Sequence, residues 1–168
     1  MPITRLNHAV LYVRDIDRSV AFYRDVLGFR VVTHLSSAAF MQASGSTNDH
    51  DLGLFEIGAE AGPSLAGRAT VGMYHLAWEV DTLDELARLA DALSKAGSLS
   101  GATNHSVTKS LYAHDPDGLE FEVAWVVPAA LLTEETLKAR SELLPLDLPK
   151  EIAHYGGSTR GGVGVSSL

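Results

Sequence analysis

Seven histidines in a chain without cysteine put metal chemistry first. Imidazole and carboxylate ligands suit Fe, Mn, Zn or Ni. The lack of any thiol excludes a disulfide framework, thiol catalysis and zinc knuckles. Two of the histidines recur in one local context, Asn7-His8-Ala9-Val10 and Tyr74-His75-Leu76-Ala77. Each opens a short apolar run that precedes a helical pattern. Near the end of the second such pattern, Leu119, Phe121 and Val123 alternate with Glu120 and Glu122. A strand there aims both glutamates at one face, and one of them should face a cleft. Two imidazoles and one carboxylate on strands make a facial triad that leaves open positions for a substrate and O₂. That set suits non-heme Fe(II). Mn(II) also fits, whereas Zn(II) would give no oxygen chemistry.

The elements that must position these groups are legible in outline. Residues 8–13, HAVLYV, read as a strand. Asp15 or Asp17 caps a helix that buries Ile16, Val20, Tyr23 and Leu27 along one face and stops at Gly28. Strands follow at Phe29–Leu35, Ala38–Ala43 and Leu52–Ile57, then a small-residue linker at Gly58–Arg68. The order repeats from a strand at Tyr74–Val80. Thr82 and Glu85 have capping-box spacing at the head of a helix whose apolar face is Leu83, Leu86, Ala90, Leu93 and Ala96. Ser110–Ala113 and Phe121–Val127 are strands around a turn at Asp115-Pro116-Asp117-Gly118.

The expected architecture is therefore α+β, with two tandem βαβββ modules. Module 1 covers about residues 5–60 and module 2 about residues 70–127 of a domain spanning 1–128. A curved mixed sheet built from both would set equivalent positions of the modules around one metal cleft. Ala129–Leu144 reads as helical. Pro145–Leu168 turns rich in Gly and Ser, and a C-terminal helical tail with a flexible end is expected for 129–168. The five glycines between Gly156 and Gly164 lack the strand, helix and Gly-Lys-Ser/Thr ending of a phosphate loop.

Composition narrows the partners. Of 168 residues, 46% are hydrophobic and 20% charged, with a net charge of −8, within the range of ordinary globular chains. An acidic chain without a basic block does not bind nucleic acid or an anionic membrane well. The first residues show no apolar signal region, and no run reaches the ~18 residues of a membrane helix, so a cytoplasmic location is expected.

The run Thr103–Glu122, TNHSVTKSLYAHDPDGLEFE, resembles the signature of type I extradiol ring-cleavage dioxygenases at His105, Leu111-Tyr112, Asp115-Pro116, Gly118 and Glu122. More widely, residues 5–128 resemble the vicinal oxygen chelate superfamily, which includes glyoxalase I and bleomycin- and fosfomycin-resistance proteins. The resemblance implies a paired βαβββ fold, with His8, His75 and Glu122 as metal ligands. It implies that Tyr112 bonds a substrate oxygen and that His105 accompanies it. His50-Asp51-Leu52-Gly53-Leu54 resembles the family stretch whose His acts as acid and base beside O₂. The implied activity is cleavage of a catechol-type ring, with Fe(II) or Mn(II) as cofactor and a small aromatic substrate. A homo-oligomer, dimer or higher, is also implied.

Two alternatives follow from the same resemblance. Glu56 stands where glyoxalase I-like enzymes carry a fourth ligand. A His/Glu/His/Glu set with Zn(II) or Ni(II) would favour an isomerase or lyase. A non-catalytic drug-binding module would hold no metal. Phe40, Phe55, Trp78 and Trp125 are the expected apolar pocket residues, and His34, His114 and His154 are expected at structural or surface positions.

Overall fold

The computed structural model describes residues 2–3, 5–66 and 69–162. The chain divides into two compact units, one of Met1–Ser64 with Asp115–Gly118, the other of Leu65–His114 with Leu119–Leu168.

The first unit runs β1 (Ala9–Val13), α1 (Ile16–Asp25), β2 (Arg30–His34), β3 (Ala38–Gln42) and β4 (Leu52–Glu56), in the sheet order β1-β4-β3-β2. β1 and β4 are parallel, and β3 is antiparallel to both its neighbours. Of the two candidate caps, Asp15 serves: its carboxylate accepts from the Arg18 amide. The helix ends just before Gly28, whose φ of 77° suits glycine. Leu11, Val13, Met41, Leu52 and Leu54 from the sheet and Ile16, Val20, Phe22 and Tyr23 from α1 are buried as the core. The turn Asp115–Gly118 belongs to this unit. Asp117 accepts from the Arg14 amide, from Arg14 Nη1 at 3.0 Å and from Arg18 Nη2 at 2.7 Å. Tyr23 Oη donates to Asp115. Burial, and after it the Asp115 charge, push the Tyr23 phenol well above its ordinary pKa.

The second unit runs β5 (Leu76–Val80), α2 (Leu83–Lys95), β6 (Leu99–Asn104), β7 (Thr108–His114) and β8 (Glu120–Val126), and continues to β9 (Leu144–Pro145) and α4 (Leu148–Tyr155). Its sheet order is β5-β8-β7-β6-β9. The two-unit α+β fold is thus as expected, with a C-terminal helix. Only half of the capping box forms. Thr82 Oγ1 accepts from the Glu85 amide, while the Glu85 carboxylate grips Arg88 instead. Among the described residues no helix is long and apolar enough to cross a membrane.

The C-terminal region departs from expectation. In place of one helix over 129–144 there are a 3₁₀ turn at Ala129–Leu131, a short helix α3 (Glu134–Lys138), a second 3₁₀ turn at Ala139–Ser141 and then β9. Thr133 acts as a cap, accepting from the Thr136 amide, and not as an interior helical residue. Leu144 is pushed toward an extended backbone because Pro145 follows it. The glycines through Gly162 pack closely. A Cβ on Gly161 would lie 2.1 Å from the Val126 carbonyl oxygen, and one on Gly157 would lie 2.0 Å from Asp84 Oδ1. The amides of Gly161 and Gly162 donate to Asp81 and Val126. These glycines permit close backbone approach, which composition alone does not distinguish from flexibility. The rest of the expected flexible end, residues 163–168, lies outside the described residues.

The Gly161 contact is testable. Gly161→Ala should cost about 1–3 kcal/mol through overpacking. The expected result is a lower urea midpoint and faster proteolysis of the C-terminal segment.

Candidate metal centre

β8 lies between β5 and β7, with Glu122 directly opposite both Ala77 and Tyr112. Phe121, Val123 and Trp125 take the buried side, so Glu120 and Glu122 take the other, as alternation requires. His75 immediately precedes β5. Its Nε2 lies 3.1 Å from Glu122 Oε2, and its Nδ1 is buried without a hydrogen-bond partner. Two donors with bonds of about 2.1 Å to one ion lie roughly 3 Å apart when they are adjacent ligands. The His75–Glu122 pair therefore fits as two ligands of a divalent ion. Beside it stands Tyr112, its ring centroid 5.9 Å from that of His75. Tyr112 Oη and His105 Nε2 are hydrogen-bonded at 2.9 Å. Burial and then the Glu122 charge push the Tyr112 phenol above its ordinary range. Four of the residues singled out in the sequence thus meet on one side of this sheet.

The other candidates lie in the first unit. His8 immediately precedes β1, and its ring centroid is 4.7 Å from that of His50. His50 also meets the Phe40 ring at 5.0 Å, and its Nδ1 lies 2.9 Å from Asp49 Oδ2. Phe40 in turn packs on Phe55. Among the described residues no three His, Cys, Asp or Glu side chains gather into one metal-holding group. The structure brings together His75 with Glu122, Tyr112 with His105, and His8 with His50.

Glu56, the possible fourth ligand, is engaged elsewhere. His50 lies before β4 begins and its ring rests on Phe40. Glu56 shares the side of β4 that buries Leu52 and Leu54, and its Oε2 accepts from the Ile16 amide at the start of α1 at 2.9 Å. The carboxylate thus satisfies the first free amide of α1 on the helix side of the sheet. Trp125 is also not a pocket residue. It is fully buried, donates from Nε1 to the Thr159 carbonyl and packs against Tyr155. Trp78 shares its side of β5 with Leu76 and Val80, opposite Ala77. Phe40 remains beside His50, with Phe55 packed on it. His34 lies against Asp17, His114 against Glu120 and His154 against Tyr155.

One residue that sequence reasoning passed over organises the His50 loop. The Asp51 carboxylate accepts from the Ala43 amide at 2.9 Å, Ser46 Oγ at 2.8 Å and Asn48 Nδ2 at 2.7 Å. Its amide and carbonyl join Met41 and Ala9. The polar run Ser44–Asp49 gave the signal, since Ser, Asn and Asp side chains fold back on nearby backbone in turns.

The chain thus carries two βαβββ units, each with a histidine just before its first strand, and a His–Glu pair in the second. A family model described as the Glyoxalase/Bleomycin resistance protein/Dioxygenase superfamily matches residues 5–123, and the chain belongs to that superfamily. It is 31% identical over 123 residues to a catechol-2,3-dioxygenase of Bacillus subtilis, covering 71% of this chain and 41% of that protein. It is 33% identical over 117 residues to biphenyl-2,3-diol 1,2-dioxygenase 3 of Rhodococcus globerulus, covering 68% and 59%. The chain thus spans less than two thirds of the length of these relatives. Among solved structures, a glyoxylase/bleomycin resistance protein/dioxygenase domain from Frankia sp. EAN1pec matches with a TM-score of 0.61 at 22% identity, covering 75% of this chain and 94% of that one. The fosfomycin resistance protein FosX of Listeria monocytogenes matches at 0.57 and 21%, covering 83% and 99%. These structures share the fold.

The Asp51 network yields a test. Hydrogen bonds to charged groups contribute about 1.5–3 kcal/mol each, so Asp51→Ala should speed hydrogen exchange at the Ala43 amide by roughly 10–100-fold. NMR-detected exchange measures this.

Proposed function

We propose that this chain is a metal-dependent extradiol dioxygenase that opens a catechol-type ring with O₂. The observation that carries the reading is the His75–Glu122 pair at 3.1 Å, with Tyr112 on the same side of the sheet and His105 bonded to its hydroxyl. The names of the catechol- and biphenyl-diol-cleaving relatives support it. His75 and Glu122 would hold the ion. When bound, Fe(II) or Mn(II) supplies an electron path between a diol and O₂ and makes the diol hydroxyls more acidic.

The chain's own groups then have distinct tasks. With its proton on Nε2, His105 donates to Tyr112 Oη. The phenol's own hydrogen is thereby left free for a substrate oxygen. Asp49 beside His50 Nδ1 favours the tautomer protonated there, which leaves Nε2 to take a proton from substrate and return it later. Phe40 and Phe55 offer aromatic surface next to that imidazole. The engagement of Glu56 with α1 weighs against the four-ligand isomerase alternative.

Anaerobic reconstitution with Fe(II) should yield O₂ uptake and a yellow ring-fission product with catechols. Turnover of a hemithioacetal with Ni(II) or Zn(II), without O₂ uptake, would overturn the reading. His75→Ala and Glu122→Ala should lose bound metal by elemental analysis. Tyr112→Phe should keep its metal and lose kcat on the order of 10²-fold.

A further inference from the structure

The C-terminal segment adds contacts that the family match, ending at residue 123, does not include. Its α4 sends Glu151 into the buried side of the second sheet, where Lys109 of β7 is only 2% exposed. Lys109 Nζ lies 3.2 Å from Glu151 Oε2 and donates to Asn104 Oδ1 and to the Ser106 carbonyl, each at 2.8 Å. Asn104 Nδ2 donates to Glu151 Oε1 at 3.0 Å. The Lys109 ammonium also lies 5.3 Å from the centre of the Tyr155 ring.

All of these groups converge on one turn. Residues 104–108 join β6 to β7 and carry His105. Ser106 sits there at φ 66°, the one non-glycine residue with positive φ among the described residues. Such a backbone is costly for serine and persists where its surroundings fix it. The surroundings are the network just described. Asn104 Oδ1 also receives the Ser106 amide, and Ser106 Oγ donates to the Thr136 carbonyl of α3. β9 completes the brace by pairing with β6 at Thr103 and Asn104.

We infer that the C-terminal segment is a positioning device, in which the buried Lys109–Glu151 pair locks the 104–108 turn so that His105 stays on Tyr112. Lys109, Glu151 and Asn104 are positioning residues that act through His105. The inference rests on the proposed role of Tyr112. A lysine at this depth, held by three partners at the root of a strained turn, is costly merely as a core filler. An apolar pair of similar volume often serves stability as well or better.

That last point supplies the test. The double variant Lys109→Met/Glu151→Leu removes both charges together and is expected to fold with a urea midpoint close to that of the natural chain. It should lose the nuclear Overhauser contact between the His105 and Tyr112 rings. Under the proposed activity, kcat should fall on the order of 10–100-fold with metal content unchanged and KM little altered. A folded double variant that keeps the ring contact and full kcat would sink the proposal. Where the variant does not fold, the natural chain decides: a slowly exchanging Ser106 amide supports the lock, and a freely exchanging one overturns it. The ring contact is read without turnover. A chain that shows it but takes up no O₂ with catechols removes the dioxygenase reading and leaves the positioning claim standing on the double variant.

Discussion

Strand register is the constraint on which the candidate centre depends. β8 pairs in parallel with β5 and antiparallel with β7, and Glu122 is fixed opposite Ala77 and Tyr112. A shift of one residue would turn Glu122 into the space occupied by Phe121 and Val123 and present an apolar side chain to His75. The hydrophobic face prevents this. Phe121, Val123 and Trp125 are all buried, and moving them into contact with solvent would cost several side chains of apolar burial, each about 1.5–3 kcal/mol. The polar chemistry on one side of the sheet is therefore held by the apolar packing on the other.

Much of that logic was legible in the residues. Alternation around Glu120 and Glu122, the repeated histidine context and the capping aspartate and threonine all act locally, over two to four residues, and so leave a local trace. β6 left none. Gly101, Ala102 and Asn104 have little strand preference, and the strand forms because β7 and β9 lie on either side. The glycines at 157 and 161 pose a related difficulty. A glycine that allows close approach and a glycine that allows motion are the same letter. Only the distance from Gly161 to the Val126 carbonyl separates them. The engagement of Glu56 with the Ile16 amide left no trace either, because its partner lies 40 positions away in the chain.

The histidines illustrate how neighbours, more than residue type, assign work. His105, in a polar loop, is tied to Tyr112; His50 rests between two rings with Asp49 at one nitrogen. His34 and His114 have carboxylates near them too, at 3.3 Å and 3.7 Å, on more exposed side chains. An imidazole whose one nitrogen is occupied by a fixed partner presents the other in a defined state. Solvated ones present either.

The two halves of the candidate chemistry are supported by unlike means. In the first unit the loop before β4 is stiffened by a single carboxylate, Asp51, that gathers amide, hydroxyl and carboxamide donors from its own neighbourhood. In the second unit the turn after β6 is stiffened from far along the chain, by Glu151, 47 positions beyond Asn104. Local bracing of this kind survives changes elsewhere in the chain. Bracing by a distant helix does not, and it makes the geometry around Tyr112 conditional on how the C-terminal segment packs. A domain that kept the signature run Thr103–Glu122 but carried a different C-terminal segment would have to hold its His105 equivalent by other contacts. Sequence identity within the family match is thus a poor measure of how firmly this hydroxyl is aimed.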